Sequence, residues 1–505
     1  MKGVLHPRRA ALLLMAALPG CTMIPDYKRP ALPVSAAWPQ GAAYHASGTG
    51  QTGPGQIGTA ASDLGWRDFF VDPRLQAVIA LAVRENRDLR SAAYAVIQAQ
   101  GQYRVQHASL FPQIGATGQA IYQGPSDNAG LSFAPGLGRN VGTFRYYSAG
   151  IGFSSYEIDL FGRIRSLSRE ATDEMMSQAE NQRGVLISVI SQVATTYVAW
   201  LADHEQLRVT EQTLASQQES LRLTQARFDR GETDQLTLRQ VETEVEQAAA
   251  NRAQYQRQVA QDENQLVLLV GAPLPADLPP PAPFGHQTVM ADLPAGVPSD
   301  LLDRRPDVVS AEYALLSAND DIGAARAAFF PRLILTASDG VSSLQFRNLF
   351  TSGGTAWGIN PQIQVPLLTW GQNEGSLQVS KARRNQRLMA YEKAIQTAFR
   401  EVSDALAARS TYLDQSRQID ALVVSSADAY RLARMRFDAG VDSYLTTLDS
   451  QRTLYTAQQN QIVVQEARYQ NLITVYRALG GGWMEHAPVA TTPARTAGGT
   501  RPTAG

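Results

Sequence analysis

Six histidines and one cysteine are the residues from which this 505-residue chain could most readily build a catalytic or metal centre. The histidines, His6, His45, His107, His204, His286 and His486, are scattered along the chain. A zinc-protease helix needs two imidazoles one turn apart with a glutamate beside the first, and that spacing does not occur. Cys21 has no second thiol, which excludes a disulfide framework and a cysteine-based zinc site. The Gly150-Ile151-Gly152 step lies in a strand-like run rather than at a strand-to-helix turn, so it does not read as a phosphate cradle. Aspartates and glutamates are plentiful, but on helices they read as solvated faces or as partners of Arg one turn away. No enzyme, metal or cofactor is expected. The thiol of Cys21, placed directly after an apolar segment, is left as the group with a chemistry of its own.

That apolar segment is "AALLLMAALPG" at 10–20, preceded by Arg8 and Arg9. A basic start and a short apolar stretch read as a secretory signal, because no apolar run reaches the ~18 residues of a spanning helix. The "LPGC" step resembles a bacterial lipoprotein signal, in which the cysteine after the cut is lipidated. Pro19 departs from the small residue preferred there, and an incidental core cysteine is the alternative. Thr22, where an Asp would imply inner-membrane retention, implies the outer membrane. Residues 21–62, rich in Pro, Gly, Ala and Ser, read as an N-terminal tether. The net charge of −1 gives no reason to expect nucleic acid.

The remaining elements repeat. "RFDRGETDQLTL" at 227–238 returns as "RFDAGVDSYLTTL" at 436–448, and "AAYAVIQAQGQYRVQHASLFPQI" at 92–114 as "AEYALLSANDDIGAARAAFFPRL" at 311–333. "ENRDL" at 85–89 lines up with "RRPDV" at 304–308, and "LFGRI" at 160–164 with "LTWGQ" at 368–372. Each half reads helix, two strands, a very long helix, a glycine break and a further helix. The first half spans 63–270, a Pro-rich connector 271–298, the second half 299–483 and a disordered tail 484–505. Helix is expected from Asp72 to about Ala108, and the long helices at about 163–229 and 373–437. At 1.5 Å per residue each long helix would measure roughly 100 Å, which suits coiled-coil or repeat packing.

The strands are amphipathic in a telling way. In "WGINPQIQVPL", Trp357, Ile359, Ile363, Val365 and Leu367 share one face, and Gly358, Asn360, Gln362 and Gln364 the other. Such alternation over about ten residues marks a transmembrane β-barrel strand. In the counterpart run, Ile151 and Phe153 have one parity and Tyr156, Ile158 and Leu160 the other, so parity switches near Ser154–Ser155. About four strands per chain cannot enclose a lumen, and an open sheet edge is not viable in lipid, so the barrel must close through oligomerisation.

With these features together, the chain resembles the outer-membrane efflux proteins of the TolC/OprM type, in their lipoprotein branch, over about Trp66 to Trp483. The resemblance is carried by "GWRDFFVDPRL" (65–75), "YEIDLFGRIR" (156–165), "AFREVSDALAAR" (398–409), "RFDAGVDSYLTTLDSQRTLYTAQ" (436–458) and "YRALGGGW" (476–483). It implies a mixed α and β membrane protein with an internal two-fold repeat. The implied assembly is a homotrimer, with a 12-stranded transmembrane β-barrel built from four strands per chain and continuous with a 12-helix periplasmic α-barrel. It implies a passive exit duct in the outer membrane, opened at its periplasmic tip by a periplasmic adaptor and served by an inner-membrane transporter, taken to be of the RND type. Outer-membrane lipid is the further partner, with Cys21 as the lipidated residue.

The resemblance also places functional residues. The two RF-x-x-G phrases become hairpin tips, with Arg227, Phe228, Gly231, Arg436, Phe437 and Gly440 at the adaptor-docking grooves. Leu445 and Asp449 become the innermost constriction. Asp442, Tyr444, Asp404 and Arg409 become candidates to brace its closure. Two alternatives remain: the outlet of a type I protein secretion system, and a periplasmic coiled-coil scaffold without a pore.

Overall fold

The computed structural model describes residues 22–35, 37–44, 64–124, 143–285, 289 and 304–486. The expected signal at 1–20, Cys21 and all but the start of the 484–505 tail lie outside the described residues. The chain divides into two compact units. The first holds Tyr94–Ala179 and Ser310–Lys393 with the described residues up to Ala31; the second holds the described residues of Leu32–Ala93, Glu180–Val309 and Ala394–Gly505.

The first unit contains a four-stranded antiparallel sheet in the order β1 (Gly115–Gln123), β2 (Phe144–Ile158), β3 (Arg332–Ser343), β4 (Thr355–Gln364). Side chains opposite one another across a ladder share a face. Trp357 stands opposite Asp339, Ile359 opposite Ala337 and Ile363 opposite Leu333. Ile151 and Phe153 stand opposite those same β3 residues, Asp339 and Ala337. The other face carries Ser338 opposite Gly358, Thr336 opposite Asn360 and Ile334 opposite Gln362. The parity switch in β2 has a physical cause. The register shifts between Phe153 and Tyr156, and Ser155 adopts φ 59°, the left-handed geometry of a bulge. Beyond the bulge Tyr156 faces Leu335 and Ile158 faces Leu333, so the apolar residues return to one face. Among the described residues, β1 and β4 each keep one edge with no partner strand.

A segment of the expected tether lies along one helix of this unit, α6 (Pro306–Ala327). Arg29 grips the Glu312 carboxylate with two hydrogen bonds of 2.8 and 2.6 Å, and the Tyr27 hydroxyl donates to it at 3.0 Å. Asn319 donates to the Pro25 carbonyl at 2.9 Å and Arg326 to that of Met23 at 3.2 Å. Gly323 completes the face, because a Cβ there would sit 2.5 Å from Ile24 Cγ1.

The second unit is built from helix ends that lock into one another. α1 (Trp66–Phe69) seats Phe69 on the ring of Tyr476, with centroids 4.0 Å apart. α2 (Pro73–Glu85) starts with proline behind Asp72, whose carboxylate accepts from the Arg74 amide at 2.8 Å and the Tyr197 hydroxyl at 2.9 Å. The single helix expected from Asp72 to Ala108 is instead two, because Asn86 breaks it before α3 (Arg87–Ala108). Asn86 caps the Leu89 amide at 2.9 Å and donates to the Leu269 carbonyl at 2.6 Å. α4 (Arg163–Phe228) and α5 (Gln235–Val270) follow. Gly271 ends α5 at φ 77°, so close to the break that a Cβ would lie 2.7 Å from the Glu85 carbonyl. The construction recurs. After α7 (Gln372–Asp438) and α8 (Tyr444–Ala478), Gly480 at φ 82° would place a Cβ 2.7 Å from the Arg304 carbonyl. Arg304 holds the sequence position that Glu85 holds in the first half.

The reading of apolar runs needs one correction. A window of α4 is apolar and long enough to cross a membrane by composition, but 61% of it is buried within the chain, as in a core helix. Its continuation packs Ala202 and Val209 against Ile462 of α8, with Phe284 and Tyr455 alongside.

Candidate functional site

Each RF-x-x-G phrase ends a helix in the same way. The Gly231 amide donates to the Phe228 carbonyl at 2.8 Å and the Glu232 amide to that of Arg227 at 2.9 Å. At the second tip Gly440 donates to Phe437 and Val441 to Arg436, both at 2.9 Å. These paired bonds form a Schellman cap, whose turning residue must enter the left-handed region; the glycines do so at φ 75° and 73°. The residue types therefore follow from backbone geometry: glycine lets each long helix stop and reverse.

The restarts differ. Asp234 accepts from the Thr237 amide at 2.8 Å and caps α5, while Ser443 opens α8 without a side-chain cap. Asp442, just before Ser443, instead forms a two-pronged pair with Arg436 at 2.6 and 3.0 Å across the Gly440 turn. The Arg436 hydrogen bond holds the half-buried Asp442 carboxyl below the usual carboxylate range. The Phe437 ring meets Tyr444 edge-on at 5.2 Å and lies under the Arg227 guanidinium at 5.0 Å, joining the two tips. Burial pushes the Tyr444 hydroxyl up from its ordinary value. Of the expected tip residues, Arg227, Arg436, Phe437, Asp442 and Tyr444 thus form one connected cluster. Phe228 is half-buried beside it.

Leu445 is 54% exposed and Asp449, one turn further along α8, is exposed too. Residues four apart share a helix face, so an apolar and an acidic group stand together on a surface left open within the chain. Asp404 and Arg409 are not brought to this place. They lie about 45–55 Å back along α7 from Gly440 at 1.5 Å per residue, and Asp404 pairs with Arg400 at 3.9 Å.

Two further groups had no signal in the residue patterns first considered. Leu236 holds the position of Leu445 in the first tip and is 69% exposed; aligning the two phrases residue by residue would have found it. Gln240 stands where the second tip has Asp449. Further from the tips, Asp203 of α4 and Asp262 of α5 act on one another electrostatically, near Glu466 of α8, and Asp262 Oδ2 is buried without a hydrogen-bond partner among the described residues. Burial, then the Asp203 charge, pushes Asp262 up to about 7, and burial raises Asp203 and Glu466. Their partners across helix faces are legible only in three dimensions. Among the described residues no group of His, Cys, Asp and Glu has metal-binding geometry.

Comparison with known proteins places this geometry in context. The family model described as outer membrane efflux protein matches residues 78–272 and again 297–481. The toluene efflux pump outer membrane protein TtgC of Pseudomonas putida is 43% identical over 468 residues, covering 93% of this chain and 94% of that protein. The outer membrane protein OprJ of Pseudomonas aeruginosa is 37% identical over 478 residues, with 94% and 96% covered. Among solved structures, the open state of the MtrE outer membrane channel of Neisseria gonorrhoeae superposes with a TM-score of 0.82 at 34% identity, over 93% of this chain and all of that one.

Proposed function

Because this chain belongs to the outer membrane efflux protein family, we propose that it is the outer-membrane exit duct of a tripartite pump for small molecules such as solvents and antibiotics. The observation that carries this reading is the sheet. One face is mostly apolar, the other mostly polar, and among the described residues both end strands have open edges. Such edges are costly in lipid, where no water satisfies the backbone. Three copies would supply about twelve strands and close the barrel, whereas four strands alone enclose nothing. The double match to the family model and the recurring glycine locks at Gly271 and Gly480 support an internal two-fold repeat. Three copies would then also supply about twelve helices for a periplasmic α-barrel.

In this assembly Leu445 and Asp449 form two stacked threefold rings at the periplasmic end. An apolar ring resists hydration and an acidic one favours cations. The Arg436–Asp442 pair and the Arg227–Phe437–Tyr444 stack hold each tip in shape beside the adaptor's docking groove, and Asp404 and Arg409 act higher up between helices. The adaptor and an inner-membrane transporter of the RND type supply opening and energy, and a lipid on Cys21 adds a second hold on the membrane. No step of covalent chemistry is required of the chain. The test is drug export. In a strain lacking its own outer-membrane duct but retaining adaptor and transporter, this chain should restore antibiotic resistance several-fold. A correctly inserted protein that restores none with any compatible pump would refute the assignment.

A further inference from the structure

The apolar stripe of β4 does not stop where the strand stops. Trp357, Ile359 and Ile363 point to one face, and beyond Gln364 the exposed Leu367 and Leu368 lead to Trp370. Leu367 is 90% exposed and Trp370 88%. The Trp370 backbone sits at φ 50°, in the left-handed region that a bulky side chain avoids. In both halves a glycine supplies the turn itself: Gly162 at φ 78° stands directly before α4 and Gly371 at φ 84° directly before α7. The residue before Gly162 is Phe161, whose ring stacks on Phe330 at 4.7 Å. Trp370, in the same place before Gly371, instead turns an exposed indole outward, and among the described residues that indole makes no hydrogen bond or ring contact. Backbone strain of this kind persists where the surroundings make use of it.

We propose that Trp370 is a membrane-interface anchor, its indole seated in the headgroup layer at the periplasmic rim of the sheet, with Leu367 and Leu368 in the acyl region beside it. This rests on the reading of the sheet as part of a transmembrane barrel. The dimensions fit. Extended chain from Thr355 to Gln364 covers roughly 30 Å, which at a tilt of about 40° is a height near 23 Å, close to the roughly 25 Å apolar band that aromatic girdles flank in such barrels. Just past Trp370 the chain turns polar at Gln372, Asn373 and Glu374. An indole suits that boundary, since its rings are apolar and its one N–H finds water or a headgroup oxygen. The left-handed turn fixes the direction in which the ring leaves the backbone, and a glycine could not supply it.

The protein has six tryptophans, so single positions are read by difference. Wild type, Trp370→Phe and Trp357→Phe are reconstituted as full chains into phosphatidylcholine vesicles with or without bromine on the acyl carbons near the headgroup. The expected result is that bromine quenches the emission lost in Trp370→Phe by at least half, and likewise that lost in Trp357→Phe. Quenching at Trp357 but not at Trp370 would overturn the anchor and leave the barrel standing; a blue-shifted, unquenched Trp370 would mean that a neighbouring subunit covers it. Quenching at neither would remove the barrel and the anchor together. A second variant guards against misfolding: Trp370→Gly should withstand heat in detergent as well as wild type does, yet insert into vesicles two- to five-fold less efficiently, with Trp370→Tyr restoring insertion. Equal insertion by the glycine variant would also overturn the anchor.

Discussion

The two tips show how far a residue's identity reaches. Gly231 and Gly440 were legible in the sequence because a helix end that must turn left-handed has a chemical signature. Leu445 and Asp449 have none: a leucine and an aspartate one turn apart are ordinary on any helix, and only the family resemblance singled them out. Their exposed, shared face is consistent with a ring formed between copies. Leu445→Ala with Asp449→Ala should therefore widen the resting pore without unfolding the protein. Single-channel conductance in planar bilayers should rise several-fold and cation preference should fall; unchanged conductance in a well-assembled double variant would clear both residues of gating. The Asp203–Asp262 pair makes a different prediction. Burial raises the Asp262 carboxyl to about 7, above its unfolded value near 4. The folded state thus binds a proton more tightly than the unfolded one does. Stability from this site is greatest at acid pH and declines as pH rises from about 4 to 7. His204 and Glu466 stand nearby, and burial lowers the imidazole and raises the carboxyl. Asp262→Asn should flatten that decline, leaving the variant at least as heat-stable as wild type at pH 8. Parallel curves of melting temperature against pH for the two proteins would count against a raised Asp262 carboxyl.

At the scale of elements, what the sequence revealed was whatever has a period. Alternation in 357–367 announced β4, and the parity change in β2 located the bulge to within a residue or two. Two features stayed hidden because they depend on distant partners. Asn86 is tolerable inside a helix; it breaks one here because it bonds the Leu269 carbonyl. The tether looked featureless because Pro, Gly, Ala and Ser carry no periodicity. Its hold on α6 resides in Glu312, Asn319, Gly323 and Arg326, which share one helical face only when counted at intervals of about 3.6 residues. Gly323 is the tightest point, so Gly323→Leu should lift Ile24 and loosen the strap. Trypsin should then cut after the exposed Lys28 several-fold faster in folded protein, with helix content by circular dichroism unchanged. An unaltered cutting rate would show that the strap is held elsewhere.

For the whole molecule the decisive quantity is the number of strands. The described residues of one chain present four, in a sheet whose β1 and β4 each leave one edge unpaired among them. Each free edge carries a row of amide and carbonyl groups, and in hydrocarbon an unpaired group costs several kcal/mol. Pairing β4 of one copy with β1 of the next removes both rows, but the ring closes only at particular copy numbers. Two copies would give about eight strands, a barrel just wide enough to be filled by its own side chains, and three would give about twelve, which leaves a passage. The polar face, with Ser338, Asn360, Gln362 and Gln364, is suited to water rather than to a packed core. The exit duct proposed above needs the wider ring. The protein purified in detergent should therefore have the mass of three chains after the detergent contribution is subtracted. Sedimentation or native mass spectrometry distinguishes the cases: a dimer would retain the closed barrel but abolish the passage, and a monodisperse monomer would leave both edges open and end the barrel model. Cysteine lipidation does not enter this balance, since an acyl chain binds membrane weakly by itself. Cys21→Ala should lose palmitate labelling and still yield trimers, because in the proposed assembly the barrel closes by the pairing of its edges.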